Sequence, residues 1–167
     1  MKRVAILLGV VLAVAVVAQA TAASSSGDKI LEFDTMVGVS APFVGAANPI
    51  RGLNGGGLPW QISRGEGELR ADGALEVEVE GLVLLDGPPV PPERRGTNPV
   101  PEFRAVVSCL TVADGAAVTM NVSTGNFPAT PSGDSKIEAT IEVPNPCFAP
   151  IVFVTSPTGA WFAVTGR

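Results

Sequence analysis

Residues 69–80 read Leu69-Arg70-Ala71-Asp72-Gly73-Ala74-Leu75-Glu76-Val77-Glu78-Val79-Glu80. From Leu75 onward apolar and acidic residues alternate one for one, the period of a strand with one dry face and one wet face. Asp72-Gly73 is a favoured tight-turn dipeptide because both residues tolerate positive φ. The segment from Trp60 to Arg70 therefore reads as the partner of Leu75–Leu85 in a hairpin. In that partner Ile62 and Leu69 have opposite parity, which predicts a bulge near Gly65 or Gly67. Past Gly81 the return strand is apolar on both faces (Leu82 to Leu85) and is expected to be more deeply covered.

The same two signals recur on either side. Leu31, Phe33, Thr35, Val37 and Val39 share one parity, with Glu32 and Asp34 on the other, so one half-buried strand is expected there. Residues 41–59 are rich in Gly, Pro and Asn and read as a long loop, with Gly52 to Gly57 a flexible stretch of it. Asp86 to Pro101 contains six prolines. It can be neither a helix nor a central strand, because proline lacks the backbone donor. Phe103–Val112 and Ala116–Ser123 flank a second Asp-Gly turn at Asp114-Gly115. Ser135–Val143 alternates, with Ile137, Ala139, Ile141 and Val143 inward and Lys136, Glu138 and Glu142 outward. Phe148–Thr155 is almost wholly apolar, as a central strand would be. Ser156-Pro157-Thr158-Gly159 turns it into Ala160–Thr165. No stretch after the first residues has a helical period. About eight strands broken by Gly and Pro predict an all-β domain over residues 29–167, an antiparallel β-sandwich or a small barrel.

The first residues have a different character. Met1-Lys2-Arg3 is basic, Val4 to Ala18 is apolar or Gly throughout, and Ala18-Gln19-Ala20 and Ala20-Thr21-Ala22 offer small-x-small cleavage patterns. The run is shorter than the roughly 20 residues a membrane-spanning helix needs, so residues 1–22 are expected to be a cleaved secretory signal. Residues 23–28 follow as a flexible N-terminus of the mature chain. The location expected is secreted, extracellular or periplasmic.

The full chain has 11 basic and 16 acidic residues, a net charge of −5. Without Lys2 and Arg3 the balance is −7. That excludes the basic surface on which non-specific binding to nucleic acid or anionic membranes depends. With no His in the sequence, Ser-His-Asp and Cys-His catalysis are excluded, and so are His-ligated metal sites. Neither a cofactor nor a metal site is expected, and a monomer is. Cys109 and Cys147 are the only cysteines. In an oxidising compartment such a pair closes into one disulfide, the alternative being two buried thiols. Cys109 shares parity with Phe103, Ala105 and Val107, so the bridge is expected to be structural.

Ser108-Cys109-Leu110-Thr111, the run from Pro146 to Pro157, and Gly45-Ala46-Ala47-Asn48-Pro49-Ile50-Arg51-Gly52 resemble parts of a group of small secreted bacterial proteins of unassigned function. The resemblance implies export, one domain and a paired cysteine. It carries over no catalytic residues.

Candidate chemistry is sparse. Glu76, Glu78 and Glu80 project from one strand face about 7 Å apart, with Glu66 and Glu68 on the partner strand. Paired carboxylates serve glycoside hydrolysis, but nothing nearby in sequence would desolvate one of them. A solvated strand face is the expectation, ahead of a weak cation site. Ser26-Gly27-Asp28-Lys29 fits S-x-x-K without its companion motifs. Gly52 to Gly57 lacks the following helix of a phosphate loop. Asn121-Val122-Ser123 is a formal glycosylation sequon within a strand. Trp60 and Trp161 are potential sugar or peptide platforms, with core packing the expectation. The function expected is a non-enzymatic binding or surface-associated module of unspecified ligand. A carboxylate-dependent hydrolase and a structural envelope or matrix component pairing through an open strand edge are the alternatives.

Overall fold

The computed structural model describes residues 27–165. The expected signal segment 1–22 and residues 23–26 lie outside them. The described chain is an antiparallel β-sandwich closed by one disulfide.

Eight strands have five residues or more: β1 (Lys29–Phe33), β4 (Arg64–Arg70), β5 (Ala74–Glu80), β7 (Glu102–Ala113), β8 (Ala116–Ser123), β10 (Ser135–Thr140), β11 (Phe148–Thr155) and β12 (Trp161–Thr165). Four shorter ones are β2 (Met36–Gly38), β3 (Trp60–Gln61), β6 (Val83–Leu84) and β9 (Phe127–Pro128), of which only β9 lies outside the strands expected from the sequence. The smaller sheet has the order β1-β4-β5-β10. The larger runs β2-β12-β11-β7-β8, with β9 also pairing with β7, and β3 pairs with β6 alone.

The hairpin that opened the sequence reading forms as expected. β4 and β5 pair from Arg64–Glu80 to Leu69–Leu75. Gly73 turns the chain at φ +90°, and a side chain there would fall on the Ile141 carbonyl. Asp72 accepts the Ala74 N–H at 3.1 Å through its own carboxylate. The second hairpin turns at Asp114 (φ +51°) and Gly115 (φ +78°).

Three expectations need correcting. The bulge does not fall at Gly65 or Gly67, where the β4–β5 register is unbroken. It lies on the opposite neighbour, between Lys29 and Leu31 of β1. The expected strand 31–39 is two strands, because the chain leaves the smaller sheet after Phe33 and enters the larger at Met36. Its parity flips at that crossing, so Met36 is buried and Val37 is 57% exposed. Likewise β5 ends at Glu80. Gly81 turns at φ +64°, and Leu82, Val83 and Leu84 are buried as a separate strand against Trp60–Gln61.

The core lies between the sheets. Leu69, Leu75, Val77, Val79 and Ile137 from the smaller sheet meet Phe103, Ala105, Val107, Val152 and Val154 from the larger. Trp60 stacks on Phe162 with ring centres 3.9 Å apart, and both meet Phe103 edge-on. Burying these side chains at about 25 cal/mol per Å² is the main force closing the sandwich.

Part of the outward face of the larger sheet is also dry. Val106, Ser108, Phe153 and Trp161 point away from the partner sheet, yet all are buried. The segment 40–59 lies against this face, held there by hydrogen bonds. Trp161 donates its N–H to Asn54 O, and Gly56 donates to Trp161 O. Arg51 reaches the Ser108 carbonyl at 3.2 Å and the Ala149 carbonyl at 2.8 Å.

Cys109 and Cys147 are bonded, with Cα atoms 5.0 Å apart. Cys109 is fully buried in β7, and Cys147 stands just before β11. The bridge ties the larger sheet to the segment returning from β10.

Candidate functional site

From Leu31 onward, past the β1 bulge, the smaller sheet turns its odd-numbered residues inward and its even-numbered ones to water, because its apolar residues alternate with charged ones. Pairing then decides which charges meet. Glu32 is opposite Glu68, Glu68 opposite Glu76, and Glu76 opposite Glu138. One row of the outer face thus carries a carboxylate on every strand. In the next row Glu66 is opposite Glu78, and Glu78 opposite Lys136. A shallow open trough of about 570 Å³ runs over these rows, floored at Phe33, Gly67 and Val77. Gly67 leaves room for the Phe33 ring on the inner face, since a side chain there would collide with that ring and the Glu76 carbonyl.

Cations stand at the margins. Lys29 Nζ lies 2.8 Å from Glu32 and 3.1 Å from Glu68, and Arg70 lies 2.6 Å from Glu68. Hydrogen bonds from Lys29 and Arg70 hold the Glu68 carboxyl below its ordinary pKa, and hydrogen bonds to Glu32 and then Glu68 raise Lys29. Arg64 pairs with Glu66 at 2.7 Å and Glu80 at 3.6 Å, and Lys136 pairs with Glu138. Glu76 and Glu78, in the middle, make no ion pair with a described cation. Like charges directly opposite across a strand pair oppose folding. The arrangement therefore concentrates negative potential where neutralisation is weakest.

Each residue singled out in the sequence has a definite place. Glu66, Glu68, Glu76 and Glu78 converge on this trough, while Glu80 lies beyond it beside Arg64. Glu32 and Glu138 belong to the same row but could not be assigned to it from sequence, because their membership depends on the register of β1 and β10. Lys29 of the S-x-x-K match is held in ion pairs, and Ser26 lies outside the described residues. No helix follows the Gly52–Gly57 segment, and the chain continues into β3. Trp60 and Trp161 are both core residues, 5% and 2% exposed. Asn121 is exposed on β8 and donates to Arg51 O at 3.0 Å.

Glycoside hydrolysis needs one carboxyl held above its ordinary value so that it can deliver a proton at neutral pH. The carboxyls displaced here, Glu68, Asp72 and Asp134, are all displaced downward by hydrogen bonds to their charged forms. Among the described residues no group of three His, Cys, Asp or Glu side chains could hold a metal ion. The trough is suited to attracting positive charge. No protein-family model, curated protein or solved structure matches this chain.

Proposed function

We propose that this protein is an exported, non-enzymatic binding module that takes a cationic, extended partner along the carboxylate trough of its smaller sheet. The observation carrying the reading is the row Glu32–Glu68–Glu76–Glu138, four like charges on four adjacent strands. Lys29, Arg70 and Lys136 reach Glu32, Glu68 and Glu138 from the margins, and Glu76 and Glu78 are left between them. Export is supported by the closed Cys109–Cys147 bond, since such bonds persist in oxidising compartments. No helix of the described residues is long and apolar enough to cross a membrane.

The test is calorimetric titration with an oligolysine peptide, at low and at physiological salt. Binding is expected at low salt, weakening as salt screens the trough. The paired substitution Glu76→Gln/Glu78→Gln should abolish binding while raising the thermal midpoint, because it relieves like-charge opposition. Absence of binding at low salt, or undiminished binding by the double variant, would overturn the reading.

A further inference from the structure

The strands that end the two sheets are unequally defended. β1 carries Lys29 and Glu32 and a register break, and β10 carries Lys136 and Glu138. β2 has three residues, with the Trp60 carbonyl packed against Gly38. Charges, breaks and shortness are the usual means of keeping a sheet edge from pairing with another chain. β8 has none of them. Its eight residues, Ala116-Ala117-Val118-Thr119-Met120-Asn121-Val122-Ser123, include no charge, no Pro and no Gly, and their register on β7 is continuous from end to end.

The hairpin fixes which of its backbone groups are free. A two-residue turn is closed by a hydrogen-bonded pair, here Ala113 and Ala116, and such pairs alternate along the ladder. Ala116, Val118, Met120 and Val122 therefore bond to β7. Ala117, Thr119, Asn121 and Ser123 aim their N–H and C=O groups outward, and no other described strand pairs with them. This row is complementary to itself. About a two-fold axis at Thr119, Thr119 faces Thr119 and Ala117 faces Asn121, so outward groups meet outward groups throughout. On one face Val118 then lies against Met120, which is 42% exposed in the single chain. On the opposite face Leu110, cross-strand from Thr119, and Phe148 beside it are 42% and 58% exposed and border the same edge. No like charges meet along the pairing.

We propose that two copies of this chain join antiparallel through β8, about a two-fold axis at Thr119, to form one continuous sheet. This goes beyond the ligand reading, and departs from the monomer expected from the sequence. One strand pair with its apolar border covers less than a standard stable interface, so the dimer is reversible and concentration-dependent.

Sedimentation velocity on the disulfide-intact protein over a wide concentration series tests this, together with hydrogen exchange at β8. The expected result is a mass that rises to the dimer and stops there, with Ala117, Thr119 and Asn121 amides gaining protection as it does. Thr119→Pro removes an outward donor, and Thr119→Lys sets two like charges on the axis. Neither alters a bond to β7, and each should weaken association by roughly tenfold or more. A monomer at every concentration overturns the proposal. So does a monomer with protected β8 amides, which would mean that the chain's own terminal residues cover the edge. Association that both variants leave intact, or that grows past the dimer, overturns it equally.

Discussion

Arg51 shows how one side chain can stand in for missing backbone donors. β11 departs from its register on β7 between Phe148 and Ile151, and Pro150 in that interval has no N–H to give. The carbonyls of Ser108 and Ala149 are taken up instead by the two ends of the Arg51 guanidinium. Replacing Arg51 with Ala should lower stability by about 2 kcal/mol, the scale of hydrogen bonds to a charged group, in a denaturant titration. Lys at this position should restore little, because an ammonium cannot span two divergent acceptors. Beneath the same segment the Ser108 hydroxyl is buried with no partner. Ser108→Ala removes that uncompensated group and should raise stability by about 1 kcal/mol, read from the same titration.

At the scale of elements, the turn between β9 and β10 fastens the smaller sheet to its neighbours through Asp134. Its carboxylate accepts the Gly81 N–H at 2.9 Å and the Ser132 hydroxyl at 2.7 Å, and these bonds hold its pKa below the ordinary aspartate value. A folded-state value lower than the unfolded one means stabilisation that is complete above the ordinary range. It is lost as pH falls through the lowered value. Asp134→Ala should cost about 1 kcal/mol near neutrality and flatten the acid limb of a stability-versus-pH curve. The eight long strands were all visible in the sequence, because period-2 alternation and the Asp72-Gly73 and Asp114-Gly115 turns are local signals. Of the two-residue strands, β9 was not, and β3 and β6 were absorbed into the strands expected over Trp60–Arg70 and Leu75–Leu85, since no local signal shows where each breaks from its neighbour. The carboxylate row was half legible. Glu76 and Glu78 announced a wet face, but Glu32 and Glu138 joined it only through pairings made across 36 and 62 residues, Glu32 with Glu68 and Glu138 with Glu76. The switch of sheets at Asp34-Thr35 was hidden because a continuous alternating pattern gives no sign of which layer each half serves.

At the scale of the molecule, the disulfide closes a loop over a sequence separation of 38 that contains β8, β9 and β10, strands of both sheets. The Cys109→Ala/Cys147→Ala variant should lose about 2–4 kcal/mol, with a matching fall in thermal midpoint when the wild-type protein is scanned under reductant. The sheet order has a further effect on how the larger layer holds together. β12, the last strand described, sits in the interior of the larger sheet, between β2 and β11. Met36 finds its partner only at Thr165. β12 is thus the keystone of that layer: without it β2 would have no strand to pair with and β11 would become a sheet edge.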